Sequence, residues 1–504
     1  MPIGRFRAGF ALVVATLVAA CGGGGGGGGD PAVQANNATP PAAAPTGQLV
    51  VVVGDDDIND WDQAIFEISR VLLLGGSDGQ IVIVDEMRRI DFLALETVNE
   101  VLADVEVRAD TYEKIRFEVD SITLVELVNP DDPAEGIVQQ VEVQQSSHKV
   151  DVVPREGEFV VGENDNVVLE IDVDLEDSIK AHKTGNGKWK FRPVIFANVL
   201  TVDQPGGLIR IFGNDVQLLD LATLDEQSNF DLCDIDSMAE IDPIEDPDDC
   251  VNIVLNPETA IFRKVDMDGT LVLKEVGPDQ IGDDDSAVVY GFVDPESDEF
   301  VIKAEIVALG GRDDYTFIEC EADGPAAGDP LQFPCELDDD DDDLESIDDD
   351  DVVVTISMIG GYKLFNRHGE EAMIEDIKDG VDVEAEGCLV PSTTEGELER
   401  LDAFVVFVDD DADDEVEGIL DAIDLATHEL TVIDEDDSTL VHCVAYDDDT
   451  VFYKVIDDGD SFESGEVTVA ELAEGIEVEA SGVFDDGCLH ATEIVFEVES
   501  LEED

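Results

Sequence analysis

The stretch LEIDVDLEDS, residues 169–178, decides the fold class of the chain. Apolar residues occupy every second position from Leu169 to Leu175, and acidic residues occupy the positions between them. Successive side chains of a β-strand point to opposite faces of a sheet, so this alternation predicts a half-buried strand. The segments 114–122 (KIRFEVDSI) and 138–143 alternate similarly, and only 85–105 suggests a short helix. We therefore predict an all-β protein whose residues 48–202 form an N-terminal β-sandwich.

Three segments of this region resemble a bacterial family of unknown function in their order and spacing. They are RIDFLAL at 89–95, ADTYEKIRFEVDSI at 109–122 and VVLEIDVDLEDSIKAHKTGNGKWKFRPVI at 167–195. The family is domain-of-unknown-function family 4382, which usually has a glycine where this chain has Ala109-Asp110. The resemblance implies one domain over residues 48–200. It implies no catalytic residues, because none are established for the family.

The remainder of the chain repeats one pattern. DIKDGVDVEAEG at 376–387 aligns with ELAEGIEVEASG at 471–482, and a looser copy ends with SAVVYGFVDPESDEFVIKAEIVAL at 286–309. Each copy has a strand that joins an aromatic residue to a lysine, at 262–264, 362–363 and 452–454. The copies are similar to the small OB-like β-barrels of domain-of-unknown-function family 5666. We predict three tandem small OB-like β-barrel modules, over residues 203–311, 312–410 and 411–504.

Seven cysteines follow residue 21, and their positions in the repeats suggest disulfide bonds. We predict that Cys443 pairs with Cys488 and, by equivalence, that Cys335 pairs with Cys388 in the preceding barrel. Cys233 and Cys250 would form a local bridge, which leaves Cys320 without a partner. A bond between Cys320 and Cys335 is the alternative, since connectivity does not follow from sequence alone. The sequence has no C-x-x-C pair, which disfavours zinc binding and thiol exchange.

The N-terminus predicts a secreted, lipid-anchored protein. Arg5 and Arg7 precede an apolar run, residues 8–20, that is too short to span a bilayer as a helix, so residues 1–20 are predicted to be a signal peptide. The sequence VAAC at 18–21 resembles the lipobox of bacterial lipoproteins. This resemblance implies cleavage before Cys21, acylation of its sulfur and membrane attachment through the acylated N-terminus. An ordinary secretory signal that happens to contain a cysteine is the alternative.

Residues 21–47 are predicted to form a tether, because a segment of glycine, proline and alanine cannot pack into a core. Sorting rules of the bacterial lipoproteins depend on the residue after the lipidated cysteine. Because Gly22 is not an aspartate, they imply anchoring in the outer membrane of the cell envelope, on its periplasmic or surface face.

The charge of the chain is extreme, since 125 acidic residues against 26 Lys and Arg give a formal net charge of −99. Nucleic acids and anionic lipid surfaces would repel such a protein, and we exclude both as partners. Adaptation to high salt, which screens repulsion between carboxylates, is one explanation of the acidity. Binding of divalent cations is the other, because Ca²⁺ takes about six to eight oxygen ligands.

The most acidic segment is LDDDDDDLESIDDDD at 337–351. Such a run cannot bury itself, so we expect a solvated loop, with capture of Ca²⁺ as the alternative. The candidate ligands would be Asp338, Asp339, Asp340, Asp348, Asp349 and Asp350.

Two further segments are interpreted as β-hairpins. KVDMDGTLVLKE at 264–275 has acids at several EF-hand positions, but Lys264 stands where the first ligand must be. The basic segment KAHKTGNGKWKFR at 180–192 has the hairpin turn Gly185-Asn186-Gly187, and we expect Trp189 to pack there. A docking patch is the alternative for the basic segment.

No segment has the spacing of a serine-hydrolase elbow, a zinc-protease helix, a P-loop or a dinucleotide-binding loop. With this many acids, carboxylate pairs arise by chance and cannot indicate a glycosidase. We therefore predict a protein without catalytic residues or cofactors, which has an interaction or structural role with a protein or glycan partner. A calcium-dependent adhesin or cation-binding surface protein is the alternative.

Overall fold

The computed structural model describes residues 44–499 except for a set of internal gaps. The gaps are 57–60, 78, 96–97, 128–136, 146, 156, 183–187, 192, 202–205, 221–227, 238, 240–249, 268–269, 296, 298–299, 329, 338–352, 367–368, 370, 391–399, 410–413, 435–438, 448–449, 458–460 and 486. Residues 44–504 belong to one compact unit, within which the described elements are almost all β-strands.

Thirteen strands precede residue 200 and build the N-terminal domain. They are β1 (Thr46–Asp56), β2 (Gln63–Gly75), β3 (Gly79–Val84), β4 (Arg88–Asp91), β5 (Glu100–Arg108), β6 (Asp110–Leu127), β7 (Ile137–Glu142), β8 (Lys149–Val152), β9 (Phe159–Val161), β10 (Asn166–Asp174), β11 (Ile179–His182), β12 (Lys188–Phe191) and β13 (Val194–Val199). A 3-10 turn, Phe92–Leu95, and a single helical turn, Leu175–Ser178, interrupt them.

The N-terminal domain is a sandwich of two sheets, as predicted. One sheet has the order β13-β10-β1-β5, and the other contains β8-β6-β2-β3 with β4, β7 and β9 attached. Leu169, Ile171 and Val173 of β10 lie in the core between the sheets, where they share one cluster with Phe66 and Phe117. The alternation that decided the fold class therefore marks the inner face of a sandwich strand.

Strand β1 is buried on both of its faces. Leu49, Val51 and Val53 point into the sandwich core, whereas Val50 and Val52 belong to a second cluster shared with the first barrel. Because both faces are covered, the strand needs a continuous apolar run rather than an alternating one.

The possible helix within 85–105 does not form among the described residues. They form β4, the 3-10 turn and the first part of β5. Phe92 and Leu95 of the turn are buried in the sandwich core, and burial in β5 alternates from Asp104 to Val107.

The other twenty strands build three barrels. The first contains β14 (Ile209–Asp220), β15 (Ser228–Asp236), β16 (Cys250–Leu255), β17 (Ala260–Met267), β18 (Thr270–Glu275), β19 (Ala287–Val293) and β20 (Val301–Leu309). The second contains β21 (Thr316–Ala322), β22 (Ala327–Gly328), β23 (Leu331–Leu337), β24 (Val353–Asn366), β25 (Asp382–Val390) and β26 (Arg400–Asp409). The third contains β27 (Asp414–Asp424), β28 (Glu429–Asp434), β29 (Val441–Ala445), β30 (Val451–Asp457), β31 (Phe462–Val467), β32 (Glu477–Asp485) and β33 (Cys488–Glu499).

Each barrel closes as a five-stranded ring of the same order. The rings are β14-β15-β16-β20-β19, β21-β23-β24-β26-β25 and β27-β28-β29-β33-β32, and the five strands of each ring are counted first to fifth in chain order. In each ring the third and fifth ring strands pair in parallel. Five strands closed in this way match the small Greek-key barrel of the OB type. The first and third barrels insert a hairpin, β17–β18 and β30–β31, between their third and fourth ring strands.

Both segments that were interpreted as hairpins pair as hairpins. Met267 of β17 lies opposite Thr270 of β18, and Lys180 of β11 lies opposite Lys190 of β12. The Trp189 ring packs edge-on against Trp61, with 5.5 Å between the ring centroids.

Candidate functional site

The third barrel docks on the N-terminal domain by extending its sheet. Strand β31 pairs in parallel with β8, where Phe462 lies opposite Val150 and Ser464 opposite Val152. The Phe462 side chain is fully buried, and its ring lies 6.1 Å from that of Phe191. Backbone pairing and a shared core therefore join two regions that are more than 300 residues apart in the sequence.

A network of charged side chains lies beside this pairing. The Asp151 carboxylate is almost fully buried and contacts two nitrogens of Arg116, with Nη2 2.6 Å from Oδ2. The Lys114 ammonium lies 2.8 Å from Asp151 and 2.7 Å from Glu463 of the third barrel. Burial by itself would lower the pKa of Lys114, but Asp151 and Glu463 raise it above its ordinary value. Lys114 thus stays charged and bridges the two regions.

Tyr453 of β30 makes the second polar contact between the two regions. Its hydroxyl donates a hydrogen bond to the Ile195 carbonyl oxygen and accepts one from the Ile195 amide, at 3.0 Å. The ring packs 4.5 Å from that of Phe196. Burial raises the pKa of Tyr453 far above its ordinary value, so the hydroxyl stays protonated and keeps both bonds.

A cleft of about 380 Å³ opens between β13 and the β30–β31 hairpin. Its lining residues are Val153, Arg155, Asp172, Phe196, Ala197, Asn198, Val451, Tyr453, Glu466 and Glu493. Arg155 forms an ion pair with Glu466, and its backbone amide donates to the Ala197 carbonyl at 2.8 Å. Ligand pockets commonly measure about 300–1,000 Å³ and combine apolar walls with a few polar groups. The cleft has the size and the mixed lining of a binding site.

The lining combines hydrogen-bonding groups with an aromatic wall. The Arg155 guanidinium and the Asn198 amide are hydrogen-bond donors, the three carboxylates are acceptors, and the Phe196 and Tyr453 rings supply an aromatic wall. This arrangement can hold a polar molecule that also has an apolar face.

A second buried polar cluster joins the N-terminal domain to the first two barrels. Tyr290 of β19 donates a hydrogen bond to Glu386 of β25, and both side chains are buried. Arg210 of β14 donates to the Ala94 carbonyl oxygen at 3.2 Å. Burial would lower the pKa of Arg210, but Tyr290, Glu386 and Glu100 raise it. We assign this cluster to domain packing, because its buried side chains join strands of different domains.

The structure contains three disulfide bonds. Cys233–Cys250 and Cys443–Cys488 are the pairs that the sequence predicted. The predicted pair Cys335–Cys388 was wrong, because Cys335 is bonded to Cys320, and Cys388 is a buried free thiol.

The error came from a false equivalence between barrels. Cys443 and Cys488 lie on the third and fifth ring strands of the third barrel, which are paired neighbours. Cys335 and Cys388 lie instead on the second and fourth ring strands of the second barrel, which are not neighbours. Cys320 is on the first ring strand, next to Cys335, with 5.6 Å between their α-carbons.

The other predicted site residues lie outside the described part of the chain. These are Cys21 and the candidate calcium ligands Asp338, Asp339, Asp340, Asp348, Asp349 and Asp350. Within the described residues, no three His, Cys, Asp or Glu side chains are grouped so that they could hold a metal ion. A search of the same residues finds no helix of the length and apolarity needed to cross a bilayer.

The sequence pattern missed the cleft, although it gave one partial signal. Tyr453 belongs to the aromatic-lysine strand that recurs in the barrels, but nothing local shows that its hydroxyl reaches Ile195. Arg155 is one of few cations in an acidic chain, which is the only feature that could have drawn attention to it.

Comparison with known proteins identifies one part of the chain. Residues 46–193 match the family model described as Domain of unknown function (DUF4382). No curated protein and no solved structure matches the chain. The matched segment contains most of the sandwich, including β8 and Lys114, which the third barrel contacts. Residues 46–193 therefore form a DUF4382 domain.

Proposed function

We propose that this protein is a lipid-anchored, highly acidic component of the bacterial cell envelope that binds a protein or glycan and has no catalytic role. The observation that carries the proposal is the cleft, because its lining combines polar groups with an aromatic wall and is suited to hold a polar ligand. The acylated N-terminus would attach the protein to the outer membrane. We further propose that the barrels are divergent relatives of family 5666, on the basis of their common ring order.

Two features support a location outside the cytoplasm. Three disulfide bonds are typical of proteins that fold in an oxidising compartment. The lipobox-like sequence at 18–21 supplies a cysteine for acylation, and the glycine run after it would serve as a spacer. More than one acyl chain at Cys21 would make the attachment stable.

Fractionation of cells that express the wild type or Cys21→Ser tests the anchoring. The wild type should sediment with the outer membrane and dissolve only in detergent. The variant should lose this attachment, and equal behaviour of the two proteins would contradict the proposal.

A glycan array probed with the full chain tests the cleft as a glycan site. We expect a set of glycans that binds the wild type and binds Arg155→Ala at least about tenfold more weakly. Arg70→Ala is the matched control, because Arg70 also forms an exposed ion pair, with Glu118, away from the cleft. Binding that Arg155→Ala leaves intact would rule out the cleft as the site.

Calcium binding is the second candidate function, and the acidic composition of the run 338–351 is the reason for it. In the sequence this run lies between β23 and β24, the second and third ring strands of the second barrel. Calorimetric titration of the full chain with CaCl₂ separates the two functions. Stoichiometric binding at micromolar concentration would support a calcium-dependent adhesin, whereas heat released only at millimolar concentration indicates diffuse screening.

A further inference from the structure

Apolar side chains cross the outer face of the third barrel. Ile419 of β27 lies opposite Ile433 of β28, and Ile433 lies opposite Val441 of β29. Ile419 is 38% exposed and Val441 is 55% exposed, and the adjoining Leu440 is 47% exposed. We call these four residues the apolar stripe.

The apolar stripe is not needed for the barrel core. The same three strands contribute fully buried side chains to the core cluster of the barrel, namely Leu420, Val432 and Val444. Each of them lies an odd number of residues from the stripe residue on its own strand. Side chains alternate across a strand, so Ile419, Ile433 and Val441 face outward. Leu440 directly precedes β29 and is exposed as well. Neighbouring strands are about 4.8 Å apart, so side chains opposite one another on three strands form one continuous patch.

The third barrel is acidic around the stripe and has few cations in its sequence. Glu477 of β32 lies opposite Ile419, and both Glu477 and Asp421 are exposed. Residues 411–504 contain a single lysine and no arginine. That lysine, Lys454, lies 3.0 Å from Glu471, so it is already paired.

We propose that the apolar stripe is a docking site for a cationic polypeptide segment in which apolar and basic side chains alternate. Charge complementarity carries the assignment, because positive charge beside an apolar contact must come from the partner. A second copy of the chain would bring a net charge of −99 toward the same acids, and an anionic lipid surface would also be repelled. Contiguous exposed apolar residues of this kind mark interaction surfaces, whereas single scattered ones do not.

Two synthetic peptides of equal charge test the proposal. One alternates leucine with lysine, the other alternates serine with lysine, and each is titrated into the full chain by fluorescence anisotropy. We expect the leucine peptide to bind the wild type at least about tenfold more tightly, because only it can bury apolar surface on the stripe. The double variant Ile419→Ser, Val441→Ser should reduce this ratio to below about threefold.

Val138→Ser, Val160→Ser is the matched control, since both residues are exposed apolar strand residues of the N-terminal domain, at 59% and 62%. It should leave the ratio unchanged, and circular dichroism melts confirm that every variant is folded. The single variant Val441→Ser, at the most exposed stripe position, gives an independent measurement if the double variant melts early.

Three outcomes would overturn the assignment. Equal affinities of the two peptides for the wild type would show that charge alone drives binding. If the affinity ratio of the two peptides falls as much in Val138→Ser, Val160→Ser as in Ile419→Ser, Val441→Ser, the leucine peptide binds somewhere other than the stripe. Dimerisation of the wild type in sedimentation, abolished by the stripe variant, would identify a second copy as the partner.

Discussion

Burial, rather than a neighbouring charge, controls the behaviour of Asp91 in the DUF4382 domain. Its side chain is 7% exposed, and Oδ1 accepts a hydrogen bond of 2.9 Å from the Ala64 amide. Burial raises the pKa of Asp91 to about 6, against the opposing effect of its hydrogen bonds. Because this value lies above that of an aspartate in an unfolded chain, the folded state binds the proton more tightly. Stability from this group is therefore present at low pH and is lost as the pH rises toward 6.

We predict that Asp91→Asn removes part of the pH dependence of the free energy of unfolding. The free energy of unfolding of the wild type, relative to the variant, should fall by up to about 3 kcal/mol between pH 4 and pH 7. Urea denaturation at several pH values measures the difference. Asp110→Asn is an informative control, because hydrogen bonds from Ser77 lower the pKa of Asp110 to about 2. Its difference should therefore have the opposite sign and should develop below about pH 4, where stability from Asp110 is lost as the pH falls toward 2. Parallel curves for Asp91→Asn and the wild type between pH 4 and pH 7 would contradict the prediction.

The disulfide bonds and the predicted acylation together fix the number of free thiols that the protein should contain. Six of the eight cysteines are in disulfide bonds, and burial raises the pKa of the remaining described one, Cys388. Its thiol should therefore react slowly in the native protein. In denaturant without reductant, the wild type should show one thiol if Cys21 is acylated, and Cys388→Ser should show none. Two thiols in the wild type would contradict acylation.

At the scale of elements, the β30–β31 hairpin holds the third barrel on the N-terminal domain. Strand pairing, the Lys114–Glu463 ion pair and the Tyr453 hydroxyl act at the same contact. The corresponding hairpin of the first barrel, β17–β18, contacts strands β24 and β25 of the second barrel. In both barrels the inserted hairpin thus makes the contact with a neighbouring domain.

Removal of the Tyr453 hydroxyl should weaken this contact. Tyr453→Phe leaves the buried amide and carbonyl of Ile195 without their partner, which costs about 1–3 kcal/mol. Tyr446→Phe is the matched control, because the buried Tyr446 hydroxyl has no hydrogen-bond partner among the described residues. It should change the free energy of unfolding by less than about 0.5 kcal/mol. Equal effects of the two substitutions in thermal melts would contradict the hydrogen bonds seen at Tyr453.

The sequence predicted the individual strands well, because burial of one face leaves a two-residue period that is visible locally. LEIDVD, the first six residues of LEIDVDLEDS, lies in β10 and KIRFEVDSI lies in β6, whereas LEDS at 175–178 forms the helical turn that follows β10. The pairing of β31 with β8 could not be predicted, because parallel pairing is made by backbone groups that every residue carries. The cleft depends on that pairing, so Arg155, Phe196 and Glu466 could not be brought together from sequence. The predicted partner of Cys335 was wrong because cysteines at similar positions in the two repeats lie on different ring strands.

At the scale of the whole molecule, the N-terminal domain is covered by barrels on two sides. Val50 and Val52 pack against the first barrel, and Val150 and Phe191 against the third. The second barrel shares a core with the first, where the Phe262 and Phe404 rings stack at 5.7 Å. Residues 44–504 are therefore a compact unit rather than a row of independent modules.

Such a compact unit with a net charge of −99 must withstand strong repulsion between its own carboxylates. We predict that the melting temperature rises by about 5–10 °C when NaCl is raised from 0.01 M to 1 M, since the Debye length falls from about 30 Å to about 3 Å. Differential scanning calorimetry at constant pH measures the change, and KCl should act equally. A melting temperature that does not change with NaCl but rises with micromolar CaCl₂ would contradict screening and favour specific cation sites.

The central proposal is that fatty acids on Cys21 attach this unit to the cell envelope. Mass spectrometry of the N-terminal peptide of the native protein tests it most directly. We predict that the chain begins at Cys21 and that this residue carries the mass of a diacylglyceryl group and an amide-linked acyl chain. A chain that begins with an unmodified cysteine, or that retains residues 1–20, would contradict the proposal.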